Sequence, residues 1–450
     1  MPKNIFLITI DALRADKLKY INPEKGLMKN LDKFANENIS FTNAIATGTT
    51  TPLSFPAILT GSYAYEFYDN KGFKKTIGNI LQENNYTTAA FNSNPHFLLW
   101  GFSKGWDYFE DFLNQTISER KGTLQKTKKI FTKIFGKDSS AANIMSKFLK
   151  YTSASVPMPY AKAEVLNKSV FNWLEKNKEK QLFCWMHYME PHYPYMPPEK
   201  YVKNISRKEM SKINRARWIA EHEGADKITK EEAHKIIELY NGEAKYVDEQ
   251  IKVFLKKLRE LKLYDESMII ITADHGEMLG EHKRYGHSRD VLYKDQLHVP
   301  LIIKTPNNKR EQIKKPVSLI DLPYTIIELF GLKNSYLKGN LLWEREHVIS
   351  ESFKKSSLEP GKDMGEIDEK EMMISCQKNN WKLIIDGIHN KKELYNMDEN
   401  PDETINLYEK QKKIAMELEK TITQHKNNFK KSEKQIISNR IEMLKKTGKI

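Results

Sequence analysis

Four short, nearly continuous apolar runs punctuate the chain, at residues 4–10, 183–186, 268–271 and 299–303. Strands read this way when both of their faces are buried, as in a parallel sheet covered by helices on each side. Between them lie stretches with helical spacing. The clearest, over residues 236–261, sets Tyr240, Ala244, Val247, Ile251, Phe254, Leu255, Leu258 and Leu261 at steps of three and four, along one face of a helix. Strands alternating with helices predict an α/β fold, a three-layer α/β/α sandwich around a mixed, mainly parallel sheet. Beyond about residue 332 the pattern changes to short strand-like segments, 372–376 and 381–385, with a turn at Asp386-Gly387. That predicts a small C-terminal α+β subdomain built on antiparallel strands. The expected division is a catalytic domain over 1–335 with helical insertions at about 116–159 and 199–235, a subdomain over 336–408, and a helical basic tail over 409–450.

The 450 residues carry a formal net charge of +14. This favours anionic partners: nucleic acid, an anionic membrane surface, or sulfated or phosphorylated substrates. No recognition motif accompanies the charge, so nucleic acid is not expected. Cys184 and Cys376 are the only cysteines, which excludes a disulfide scaffold and a Cys-rich zinc module. No run of 18 apolar residues is present, and the apolar stretch ending at Ile10 is too short for a signal peptide and lacks a cleavage site. The expected location is the cytoplasm. Basic segments at 121–137 and 426–450 interleave Lys and Arg with apolar residues. They either pack on the body of the protein or hold it peripherally at an anionic membrane.

Two acidic residues stand where strands should end. Asp11 follows the first run, and Asp274 follows the third and is itself followed by His275, Gly276 and Glu277. In open parallel sheets ligands bind outside the carboxyl ends of strands. Two Asp and one His converging there suit a divalent metal, although an Asp at a strand end also simply caps the next helix. Residues 46–61 form a third element, with hydroxyls clustered before Pro52 and an apolar turn stopping at Gly61. Pro at the first helical position would put Thr51 at the N-cap, where the positive helix end favours an alkoxide and the anion it attacks. The same stretch reads equally as a Ser/Thr-rich loop, and Pro56 removes a donor from the second turn. Histidines His96, His187, His192, His282 and His287 complete the polar inventory near the strand ends. Beside two Asp, they suggest a metal or anion site.

In this order these elements resemble the sulfatase family, within the alkaline-phosphatase superfamily, over roughly residues 3–408. Residues 4–16 (NIFLITIDALRAD) look like the family's opening strand and first metal ligand. Residues 187–198 (HYMEPHYPYMPP) are similar to its His-x-x-x-Pro-His segment, and 269–282 (IIITADHGEMLGEH) is the strongest match. Residues 285–306 and 381–406 are similar to the following family blocks. Family members carry Cys or Ser in a Cys/Ser-x-Pro-x-Arg motif that is oxidised to formylglycine. Counting back from Gly61 places Thr51 there, with Leu53 for the Pro and Phe55 for the Arg, so no formylglycine is expected. Ala12 replaces the second Asp of the opening pair, and Asn94 and His287 stand where many members have Lys.

The resemblance implies an anionic-ester hydrolase or transferase with one divalent metal (Ca, Mn, Mg or Zn) on Asp11, Thr51, Asp274 and His275. Thr51 is the expected nucleophile and His192 or His287 the proton donor. Asn94, His96 and His187 are expected to contact the substrate, which would be a glycan, a lipid head group or a small molecule. A second metal held by His192 and His287, with Glu190 or His187 assisting, stays open. Formylglycine releases sulfate by breaking a carbon–oxygen bond of its geminal diol, which threonine cannot do. A phospho-threonine can be cleared by in-line attack, so phosphate esters are favoured. The alternatives are an arylsulfatase-like sulfate-ester hydrolase and a catalytically inactive binding protein.

Overall fold

Strand β1 (Asn4–Ile10) is buried along its whole length, which is possible only for a strand with neighbours on both edges and layers on both faces. The computed structural model describes residues 3–69, 75–94, 97, 101–112, 160–334, 336–337, 339–353 and 369–427. The 116–159 insertion with its basic segment 121–137, and the tail beyond residue 427, lie outside the described residues.

In chain order the elements are β1, α1 (Lys29–Glu37), β2 (Ile39–Ile45), α2 (Thr51–Thr60), α3 (Ala64–Asp69), α4 (Ile77–Glu83), β3 (Thr87–Asn92) and β4 (Tyr108–Glu110). There follow α5 (Ala163–Asn177), β5 (Leu182–Tyr188), α6 (Arg207–His222), α7 (Lys230–Glu260), β6 (Ser267–Ala273), β7 (Met278–Leu279), β8 (Tyr285–Gly286), α8 (Lys294–Leu297) and β9 (His298–Lys304). The described chain closes with β10 (Glu311–Ile313), β11 (Val317–Ser318), α9 (Leu322–Leu329), β12 (Val348–Phe353), β13 (Met372–Lys378), β14 (Trp381–Asp386), β15 (Lys391–Asn396) and a helix over 412–427.

The main sheet has the order β10-β2-β9-β6-β1-β5-β3-β4, with β11 also paired to β2. Strand β9 runs antiparallel to both β2 and β6, and the other pairings in the sheet are parallel. This is the mixed, mainly parallel sheet of an α/β/α sandwich. Helix α7 begins where Thr229 and Glu232 close a reciprocal capping box, so the helix starts six residues before its apolar stripe does. Its Phe254 meets Phe6 of β1 edge-on, with ring centroids 5.8 Å apart. The segment 199–235 contains α6, which packs beside α7.

The four strands β12-β13-β14-β15 form a separate antiparallel sheet. It is stitched to the main body by β12: the Glu351 N–H donates to Thr47 O (2.8 Å), Ser350 Oγ to Ala46 O (2.6 Å) and Ser352 Oγ to Arg289 O (2.6 Å). In the 412–427 helix, Ala415, Leu418 and Ile422 are buried in the main core, so the described start of the tail packs on the body.

Phe6 is completely buried. Phe6→Ala should therefore lower stability by about 3–5 kcal/mol. Val253→Ala, at a half-exposed position one residue before Phe254, should stay within about 0.5 kcal/mol. Urea unfolding, with unchanged m-value in both variants, checks the pair.

Candidate active site

Strand register builds the site. Ile10 of β1 pairs with Ala273 of β6 on one side and Tyr188 of β5 on the other. Asp11 and Asp274 are thus the first residues beyond the ends of adjacent parallel strands, and His187 lies one position short of the end of the third. The Asp11 N–H donates to Tyr188 O (2.8 Å). The chain then turns through Ala12, which has a φ of 59°. Tyr240 of α7 holds this turn, donating to Ala12 O (2.7 Å) and accepting from the Arg14 N–H (3.0 Å).

The carboxylates are half satisfied. Asp11 Oδ2 contacts His187 Nε2 at 3.2 Å, and Asp274 Oδ1 accepts the N–H groups of His275 (2.9 Å) and Ala12 (3.3 Å). Their other oxygens, Asp11 Oδ1 and Asp274 Oδ2, are buried without a hydrogen-bond partner. Both face His275 Nε2, at 3.6 and 3.7 Å. His275 Nδ1 lies 2.8 Å from Gly276 O, a contact that requires the proton on Nδ1 and leaves a bare lone pair on Nε2. Thr51 Oγ1 stands 3.4 Å from both Asp11 Oδ2 and His275 Nε2. Two orphaned carboxylate oxygens, an imidazole lone pair and a hydroxyl facing one buried point fit a divalent cation. Donor atoms of Asp11, His187 and Asp274 also lie within 4.8 Å of one another. However, both ring nitrogens of His187 are already engaged, Nδ1 with Thr9 Oγ1 at 2.9 Å. His187 therefore orients Asp11 through Oδ2, while Oδ1 faces His275.

Electrostatics point the same way. Burial opposes the Asp11 charge, but the imidazoles of His192, His187 and His275 outweigh it and hold Asp11 below the carboxylate range. Burial, and then the charge of Asp11, push Asp274 up. Two ionised carboxylates here need added positive charge.

Helix α2 carries Thr51. Thr50, in extended conformation, is the N-cap and Thr51 the first helical residue, one position later than the sequence predicts, because Pro52 fits the second helical position as well as the first. Pro56 lies inside the helix. The carbonyl it cannot serve, Pro52 O, accepts the Tyr68 hydroxyl instead (2.9 Å). The helix ends at Gly61, in the left-handed region at φ 64°. Ser54 Oγ donates to Asp274 O at 2.5 Å, which occupies the hydroxyl that rivals Thr51 in the motif. Phe55, in the place of the family's Arg, sits edge-on to Phe97 (4.5 Å) and His187 (5.0 Å) and against Trp185 (5.4 Å). An aromatic box therefore stands where a guanidinium would be.

A histidine stack extends from the donor set. The ring of His287 lies 4.6 Å from that of His275 and 5.0 Å from that of His192. Glu277 Oε2 accepts from His287 Nδ1 (2.7 Å), while its Oε1 accepts from Tyr195 Oη (2.7 Å) and Arg217 NH2 (2.5 Å). Burial opposes the His287 charge, but Glu277 outweighs it and pushes the imidazole up to about 8. Burial pushes His192 down to about 4. The Nδ1 atoms of these two histidines are spent on Glu277 and on Tyr193 O (2.5 Å). Glu190 accepts the Ala163 N–H (3.2 Å) at the start of α5. Asn94 is buried two residues past β3, and His96 lies outside the described residues. Sequence reasoning missed Arg217 and Tyr195, and gave Glu277 no role despite its place in the Asp-His-Gly-Glu run.

Titrating metal-free protein with Mn²⁺ or Ca²⁺ should show saturable binding that weakens as the pH falls, since Asp274 must lose its proton. Asp11→Asn and Asp274→Asn should weaken it at least about a hundredfold, beyond the loss typical of a supporting residue. Phe55→Arg should destabilise the fold by about 3 kcal/mol or more, because it buries an unpaired charge; thermal unfolding measures it.

The family model described as Sulfatase matches residues 3–332. The arylsulfatase K of Canis lupus familiaris is 24% identical over 299 residues, covering 63% of this chain and 52% of its own. The chain thus spans about half the length of that relative. An arylsulfatase of Clostridium perfringens is 24% identical over 337 residues, covering 68% of this chain and 69% of its own. Among solved structures, the phosphonate monoester hydrolase of Silicibacter pomeroyi superposes with a TM-score of 0.71 at 20% identity, over 94% of this chain and 95% of that one. With the family model matched over nearly three quarters of its length, the chain belongs to the sulfatase family.

Proposed function

We propose that the protein hydrolyses or transfers phosphate esters, using Thr51 as nucleophile. The observation that carries this reading is Thr51 Oγ1 at 3.4 Å from both Asp11 Oδ2 and His275 Nε2, on the first residue of α2. When bound by Asp11, Asp274, His275 and Thr51, a divalent cation (Ca, Mn, Mg or Zn) lowers the pKa of a coordinated hydroxyl and screens the ester's charge. Asp11 Oδ2 accepts the Thr51 proton in the hydrogen bond seen here. The N-terminal end of α2 favours negative charge on the attacking oxygen. His287, kept protonated by Glu277, donates to the departing oxygen, while neutral His192, its one proton spent on Tyr193 O, offers Nε2 as an acceptor for the proton of an attacking water or hydroxyl. Threonine offers no second hydroxyl, so the covalent ester on Thr51 is cleared by water or by a second acceptor attacking phosphorus.

The relatives' arylsulfatase names support a second reading, sulfate-ester hydrolysis. In either case the substrate is an anionic ester of a glycan, lipid head group or small molecule, and the proposed location is the cytoplasm. A panel of 4-nitrophenyl phosphate, bis(4-nitrophenyl) phosphate and 4-nitrophenyl sulfate, each with Mn²⁺, Mg²⁺, Ca²⁺ and Zn²⁺, separates the readings. Phosphate turnover should exceed sulfate turnover, and the reverse order would favour the sulfatase reading. Thr51→Ala should lower kcat by about 10³-fold or more. Ser54→Ala should cost about 1 kcal/mol of stability, from the lost bond to Asp274 O, and less than about tenfold in rate. A dead Ser54→Ala with an active Thr51→Ala would overturn the assignment of the nucleophile.

A further inference from the structure

We infer that helix α6 is a working part of the site, and that its Arg217 is a positioning residue that fixes His287 through Glu277. The inference rests on the proposed role of His287 and extends it. Arg217 is 2% exposed, and its buried charge is met by two carboxylates at NH1 and NH2, while Nε has no hydrogen-bond partner. NH1 meets Glu221 Oε2, one turn along the same helix, and NH2 meets Glu277 Oε1, each at 2.5 Å. The fork thus fixes its own direction on α6 and presents its other arm to the carboxylate that grips His287. Glu277 shares its two oxygens between the pair, Oε1 for Arg217 and Tyr195, Oε2 for His287.

Two further contacts from α6 act on the loop that follows His192. The guanidinium lies 4.3 Å from the ring centre of Tyr193, next to His192 in the chain. Asn214, one turn earlier on α6, accepts the Tyr195 N–H (2.8 Å) and donates to Tyr195 O (2.7 Å). On the other side, Arg217 and Glu221 cover the backbone of Gly286, the residue before His287. A Cβ on Gly286 would fall on Glu221 Oε1 and 2.8 Å from Arg217 NH2, and its φ is 85°. Helix α6 therefore constrains the ring of His287 through Glu277, its backbone through Gly286, and the loop of His192 through Tyr193 and Tyr195.

The test is a double-mutant cycle of Arg217→Met and His287→Ala in full-length, metal-loaded protein, with phenyl phosphate and 4-nitrophenyl phosphate as probes. Arg217→Met should lower kcat about 10- to 100-fold with KM changed less than about threefold, and should cause no further loss when added to His287→Ala. Multiplying losses, or a change confined to KM, would overturn the inference. Proton donation by His287 is judged separately, by whether His287→Ala loses more on phenyl phosphate, the poorer leaving group. That reading can fail while the coupling stands. Imidazole ¹⁵N spectra of the metal-free protein give a readout without turnover. Arg217→Met should shift the His287 ring signals, identified by their loss in His287→Ala, and unmoved signals would overturn the inference. Arg217→Lys, which keeps the charge but cannot span both carboxylates, should fall between parent and Arg217→Met, and serves if the latter does not fold.

Discussion

Two carboxylates at the ends of neighbouring parallel strands cannot both be ionised in a dry interior without help, and the architecture around Asp11 and Asp274 is organised by that fact. Each aspartate has one oxygen tied to the protein and one left bare. The bare oxygens are aimed at an imidazole whose proton is fixed on the far nitrogen by Gly276 O. The tied oxygens keep the carboxylates from rotating, and the bare ones keep the pocket receptive to a cation. A hydrophobic interior makes the arrangement selective, since an uncompensated pair there is far more costly than on the surface.

The helix that carries Thr51 is fitted to this centre by local chemistry that the family motif does not prescribe. Ser54 anchors α2 to the backbone of Asp274, so a hydroxyl one turn after Thr51 serves to place the helix. The Tyr68 hydroxyl takes the carbonyl that Pro56 leaves open, which lets a proline sit within a helix of ten residues. Phe55 closes one wall with aromatic edges. Positive charge at this wall is left to the imidazole side, where Glu277 favours a cationic His287.

The parts of the fold legible in the sequence are those where burial on both faces leaves a continuous apolar run. β1, β5, β6 and β9 all contain such runs. β2 and β3, with sequences ISFTNAI and TTAAFN, carry small and hydroxylated residues that fit a buried strand but give no hydrophobic signal. Strand direction is equally silent, because the apolar run of β9 reads the same whichever way it points. At the site, Asp11, Thr51, Asp274 and His275 could be picked out because strand ends and motif spacing are local properties. The placement of His187 against Asp11 depends on the register between β1 and β5. Arg217 reaches Glu277 across 60 residues, a relation that no local pattern encodes.

The hydrogen bonds from β12 to Ala46 and Thr47 set the size of the unit that can function. The family match ends at residue 332, yet the loop leading into Thr51 is gripped from residues 350 and 351. Glu351 in turn meets His425 at 2.7 Å, on the helix over 412–427. The end of the family-model match and the end of the structure that braces this loop therefore differ by nearly a hundred residues of chain. A segment cut at residue 332 would keep Asp11, Thr51, Asp274 and His275 and lose the grip on the loop that leads into Thr51. For dissecting or recombining this chain, the antiparallel sheet travels with the candidate site as its scaffold.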